Sequence, residues 1–213
     1  MKKSEAKARW KNAEFTASMR SVVDSLFNAG SAAGVDLRGL VVGEEGPMDL
    51  DFSDLQGKKL FEVDFSFGEL ACPALNVEID NCVFESCSIH DANFKNAKIC
   101  RTRFDDSTIS SVTFDDAEWT GVSFANTKWK DRRKIACIGI RSVFRNCDFS
   151  GASLSDVEFR AAQFDGCKFD GATFKDCDFR GAKFFGAAIG GDQISGWPSF
   201  DQATLDGDPW SPV

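Results

Sequence analysis

The sequence predicts an all-β solenoid, a square coil stacked on itself, with one α-helix at its N-terminal end. Three observations predict it. Large apolar residues fall at every fifth position over most of the chain, the residue two before each is always small, and the residue two after each is usually a turn former. From Asn93 the chain reads NFKNA, KICRT, RFDDS, TISSV, TFDDA, EWTGV, SFANT, KW, and from Asp148 it reads DFSGA, SLSDV, EFRAA, QFDGC, KFDGA, TFKDC, DFRGA, KF.

The large apolar centres run from Ile79 to Trp129 and again from Phe144 to Ile189, and thirteen of them are Phe. Random placement of the chain's phenylalanines would put only about two there, so the period is structural. In extended chain, residues two apart point to the same side. The small residue and the centre therefore both face inward. Straight continuation would bury the Gly, Asp, Asn or Arg two past the centre, so the chain must turn a corner in every unit. Four corners close a coil of about 20 residues, and coils stacked at about 4.8 Å give strand-like ladders on four walls. Columns such as Phe84, Phe104 and Phe124 then form the core.

This unit resembles the pentapeptide-repeat family, whose pattern is small–polar–Leu/Phe–polar–polar. The resemblance runs from Val77 to Ile189, with looser units at Leu50, Leu55, Leu60, Phe65, Leu70 and Leu75 and a one-residue slip before Ile79. It implies a right-handed quadrilateral β-helix of about seven coils, roughly 35 Å long at that ladder spacing. The expected organisation is a helical cap over residues 1–30, a solenoid over 31–189 and a closing segment over 190–213. In the cap, Phe15, Met19, Val22 or Val23, and Leu26 repeat at helical spacing between Ser4 and Asn28, with Gly30 as the stop. At the other end "GWPSFD" resembles the closing segment of many bacterial members, which predicts that Trp197 and Phe200 cover the last coil.

No catalytic constellation stands out in the sequence. His90 is the only histidine and is expected to point outward as a plain surface residue; no GxxxxGK or GxGxxG unit cradles a phosphate. Cys82, Cys87, Cys137, Cys147, Cys167 and Cys177 fall at the small inward position, where a thiol acts as a small apolar group. Cys147 and Cys167 stack within disulfide reach, whereas Cys72 and Cys100 lie off that column. The expectation is a non-enzymatic protein with no catalytic residue, no metal site and no cofactor. No apolar run is long enough to span a bilayer. The opening segment MKKSEAKARWKNAEF lacks a signal-peptide core, which predicts a cytoplasmic chain.

Charge gives the functional clue. The net charge is −8, yet residues 130–141 carry +4 and interrupt the period. The centres due at 134 and 139 are Lys134 and Gly139, and neither can fill a column. The chain is therefore expected to leave the wall after Trp129 and return by Phe144, exposing Lys130, Arg132, Arg133 and Lys134, with Ile135, Ile138 and Ile140 tethering the loop. Either this loop is a tolerated insertion kept soluble by its charge, or it recognises an acidic patch on a partner.

The sequence thus reads as a rigid interaction scaffold. The family resemblance implies an alternative, because some members bind DNA gyrase or topoisomerase IV and protect it from quinolones or peptide toxins by mimicking DNA. Asp105, Asp106, Asp115 and Asp116 would then form the acidic recognition wall. The partners expected are another protein, a type II topoisomerase on that alternative, or a second copy of the chain. Neither direct nucleic-acid binding nor membrane binding is expected, since phosphates need a cationic track.

Overall fold

Each five-residue unit folds into a short strand followed by a corner, and the corner explains the composition. In the computed structural model, which describes residues 1–29, 34–42, 56–71 and 76–212, the residue two past nearly every described centre adopts left-handed backbone, Asp131 and Gly191 excepted. Asn81, Ser86, Asp91, Asn96, Arg101, Asp106, Ser111 and Asp116 have φ of 46° to 59°. That region costs most L residues about 1–2 kcal/mol and is least unfavourable for Gly, Asn and Asp.

Four walls result. Wall 1 stacks Leu60, Ile79, Ile99, Trp119, Phe144, Phe164, Phe184 and Leu205 in parallel register. Wall 3 stacks Val42, Leu70, Ile89, Ile109, Trp129, Leu154, Phe174 and Ile194. Walls 2 and 4 are held mostly by single bridges, such as Arg103 to Ser123 and Glu158 to Asp178. The core of wall 2 is a stack of Phe65, Phe84, Phe104, Phe124, Phe149 and Phe169 with ring centroids 4.9 to 5.5 Å apart. The small residues sit beside these rings and let the walls approach. The looser units at Leu50, Leu55 and Leu75 lie outside the described residues, as do Gly30 and Cys72.

The N-terminal cap is two helices rather than the single helix expected. Helix α1 spans Lys3–Arg9 and α2 spans Ala13–Ala29. The break follows from Asn12, whose Oδ1 accepts the Phe15 amide at 3.0 Å and so starts a new helix. Val23 and Leu26 are buried against the first coil. Helix α1 is pinned by Arg9, which donates to both carboxylate oxygens of Asp36 at 2.7 and 3.1 Å, and by the Trp10 indole on the Arg38 carbonyl at 2.8 Å. Arg38 and Arg9 together hold the Asp36 carboxyl well below the usual carboxylate range, against the opposing effect of burial. Gly39 permits the docking: a Cβ there would lie 2.4 Å from the Ala6 carbonyl.

At the C-terminal end the ladders continue past Ile189. Phe174 pairs with Ile194 and Phe184 with Leu205, so a further coil forms within the expected closing segment. Phe200 is buried and stacks on Phe179 at 5.0 Å. Trp197, expected to cover the last coil, instead lies 92% exposed. The reason is register. Lys175 pairs with Ser195 and Asp178 with Ser199, so three residues on the outer coil face two on the inner one. The extra residue bulges and carries Trp197 outward. Trp210 covers the core instead, packed on Phe184 at 4.7 Å and Phe200 at 5.4 Å.

Candidate protein-interaction site

The charged interruption is narrower than the sequence suggests. Lys128–Lys130 still forms a wall 3 strand, and Cys137–Ile138 already forms a wall 4 strand paired with Val157–Glu158. Gly139 therefore occupies the centre position of its rung, although it has no side chain. Phe114 fills the vacancy: a Cβ on Gly139 would sit 1.8 Å from the Phe114 ring, which reaches Phe159 beyond it at 6.0 Å. Only residues 131–136 leave the wall. Cys137 closes their base, its thiol 3.6 Å from the Lys130 carbonyl.

Those residues form a hairpin on the corner between walls 3 and 4. Arg132 and Ile135 exchange backbone hydrogen bonds at 3.1 and 3.0 Å, and Arg133 and Lys134 occupy the turn with φ of 54° and 64°. Both turn residues being left-handed is the geometry that normally selects Asn-Gly. Two long cations stand there instead.

The hairpin is tied down towards the N-terminal coils. The Ser111 hydroxyl lies 2.9 Å from both the Arg132 and Ile135 carbonyls and is shared between them. Arg132 donates to Asp91 at 2.7 Å and to Nδ1 of His90. With Nδ1 accepting, His90 donates from Nε2 to Glu69 at 3.1 Å. His90 thus points outward as expected but is no plain surface residue; its side chain is 14% exposed beneath Arg132. No local pattern signals this latch, because its members lie up to 42 positions apart and meet only when coils stack.

The four predicted loop cations accordingly divide. Arg132 is structural, whereas Lys130, Arg133 and Lys134 are exposed and form no ion pair among the described residues. Ile135 does not tether the loop, being 54% exposed, while Ile138 and Ile140 are half-buried in the returning wall.

The predicted acidic residues are not brought together. Asp105 and Asp106 sit on the corner between walls 2 and 3, and Asp115 and Asp116 on the opposite corner between walls 4 and 1. Most are also engaged. Asp105 accepts from the Ser123 hydroxyl and, at 3.0 Å, the Ala125 amide; Asp115 accepts the Ile140 amide at 2.8 Å. Arg141 grips both oxygens of Asp116 at 2.7 and 2.8 Å and lowers its pKa. Asp106 alone is exposed and without an ion pair among the described residues.

Cysteine chemistry offers no site. All seven described cysteines are free thiols. Burial pushes Cys82 and Cys137 up to about 11 and Cys87 and Cys177 up to about 12, so they stay protonated. Cys147 is raised by its hydrogen bond to Cys167 and by burial. Among the described residues no His, Cys, Asp and Glu cluster could hold a metal, and no helix is long and apolar enough to cross a membrane.

Residues 142–181 match the family model for pentapeptide repeats in eight copies. That segment is built of pentapeptide repeats. The same five-residue unit recurs along the ladders from Ile79 to Phe184. Several solved structures are similar. One is full-length QnrB1, a plasmid-mediated fluoroquinolone resistance protein, at 15% identity over 84% of this chain and 94% of that one, with a TM-score of 0.46. Another is AT2G44920 from the Arabidopsis thaliana thylakoid lumen, at 23% identity over 47% of this chain and 67% of that one, TM-score 0.40. A third is HetL of Nostoc sp. strain PCC 7120, involved in heterocyst differentiation regulation, at 15% identity over 83% and 81%, TM-score 0.31. Curated proteins give no match.

Proposed function

We propose that this protein is a non-enzymatic scaffold that binds another protein through the hairpin at residues 131–136. One observation carries the reading. Arg133 and Lys134, exposed and without an ion pair among the described residues, hold the two left-handed turn positions where Asn-Gly would fit at lower cost. Meanwhile Arg132, Asp91, His90 and Ser111 fix the hairpin base, so the tip is presented in one pose. A fixed basic tip on an acidic rod suits an acidic patch on a partner, with contacts that act mainly on association rate and fade with salt.

A rod that mimics DNA for a type II topoisomerase is the weaker reading. It calls for a continuous run of free acids, and the acids named for it are split between opposite corners and mostly bonded within the rod.

The test is capture of partners from a cell lysate by immobilised protein at low ionic strength. Arg133→Ala with Lys134→Ala is expected to reduce capture severalfold or more while leaving the thermal midpoint unchanged. Equal capture by this variant and the unmodified protein would make the hairpin a neutral insertion. Arg132→Ala is unsuitable for the purpose, because it removes the latch as well as a charge.

A further inference from the structure

The corner between walls 3 and 4 carries more than the hairpin. Reading along it from the N-terminal side, the rungs present His90–Asp91, Ser110–Ser111, Lys130 with the hairpin, Ser155–Asp156, Lys175–Asp176, and Ser195 with Trp197. Two exposed apolar side chains stand on this one edge, Ile135 at 54% and Trp197 at 92%. The backbone that carries Trp197 is anchored: its amide donates to the Asp176 carboxylate at 2.6 Å.

The two ends of the edge are chemically complementary. Arg133 and Lys134 suit the Asp176 carboxylate and the open face of the Trp197 indole, and Ile135 suits the same ring. Within one molecule they cannot meet. The hairpin is folded towards Ser111 and Asp91, away from Trp197. Four rungs separate Ser111 from Trp197, roughly 19 Å at the ladder spacing, and the hydrogen-bonded walls cannot bend to close that gap.

We infer that the chain pairs with a second copy of itself along this edge, antiparallel and two-fold symmetric, the hairpin of each copy lying against Trp197 and Asp176 of the other. This rests on the reading of the hairpin as a binding element and names its partner. An axis at the Asp156 rung sets the Ser111 rung opposite the Trp197 rung, and the Lys130 rung opposite the Asp176 rung. Every complementary contact is then made twice, as an isologous interface requires. Such a pair is closed. It leaves neither patch free to recruit a third copy, and α1 and Trp210 cover the two ends of the rod against end-to-end stacking. A single edge lies at the lower limit of stable interfaces, about 1,200 Å² in total, so pairing depends on concentration and salt.

Analytical ultracentrifugation of the full chain over a range of concentrations, at low and high salt, tests the pairing. A monomer–dimer equilibrium weakened by salt is expected. Trp197→Ala and, separately, Arg133→Glu with Lys134→Glu should each raise the dimer dissociation constant at least tenfold. Both variants change exposed side chains, and an unchanged thermal midpoint verifies that they fold. A chain that stays monomeric at every concentration overturns the pairing, while lysate capture dependent on Arg133 and Lys134 would still support the scaffold reading. A dimer that survives both variants overturns this edge as the interface. Failure of lysate capture to respond to Arg133 and Lys134 bears separately on the scaffold reading.

Discussion

From Phe104 to Phe124 the chain completes a coil in 20 residues, and from Phe124 to Phe149 it takes 25, yet both steps end in the same column. The ring centroids are 5.4 Å apart across the regular step and 4.9 Å across the longer one. The extra residues therefore cost the ladder nothing. They equal one repeat, so every inward position stays inward on the far side, and they are placed at a corner, where the backbone already leaves the wall. An insertion of another length needs a compensating bulge to keep the later centres inward, as the one extra residue between Phe179 and Phe200 does. What distinguishes the two coils is confined to one hairpin and one missing side chain, that of Gly139.

The regular coils depend on their centres. Phe164 is buried and stacks between Phe144 at 5.0 Å and Phe184 at 4.9 Å. Phe164→Ala should cost about 3–5 kcal/mol, because a rigid ladder cannot collapse into the cavity. Denaturant unfolding measures this, and a loss under 1 kcal/mol would mean that the columns are not the source of stability.

The interrupted coil should show the reverse sensitivity. Its centre position is filled by the ring of Phe114, which is hemmed in by Trp119, Trp129, Phe144 and Phe159. Gly139→Ala adds a methyl group where the ring already stands and should destabilise by about 1–3 kcal/mol through overpacking. A stabilised variant would show that the rung has an unfilled hole.

Much of this was legible in the sequence, and the limits have physical causes. The five-residue period was visible because a closed core demands a large residue at each wall and a small one beside it. The interruption was visible because Lys134 and Gly139 cannot be centres. That Gly139 nonetheless holds a rung was hidden, since the compensating ring belongs to a residue 25 positions earlier. The helix break at Asn12 had a local signal, an Asn able to cap, which the apolar spacing on either side outweighed. Trp197 was misplaced because one extra residue in the final coil reverses which side chain faces inward. The latch around His90 was beyond reach for the same reason as Gly139: it is assembled by stacking, not by neighbouring positions.

The smallest expected effect comes from removing the hairpin itself. Deleting residues 132–136 leaves Lys130-Asp131-Cys137, in the same order as Ser110-Ser111-Val112 one coil earlier, with Asp131 taking the left-handed corner that Ser111 holds at φ 52°. Asp accepts that conformation readily. The deletion gives up the exposed Arg132–Asp91 pair, worth about 0–1 kcal/mol, and the hydrogen bonds that Ser111 shares with the hairpin. Against this it shortens a loop and removes two cations from left-handed backbone. The terms nearly cancel, so unfolding free energy should change by less than about 1 kcal/mol, while partner capture and self-association should both be lost. A shortened protein that unfolds several kcal/mol more easily would show that the hairpin staples the coil. One that folds normally and still binds would show that recognition lies elsewhere on the rod.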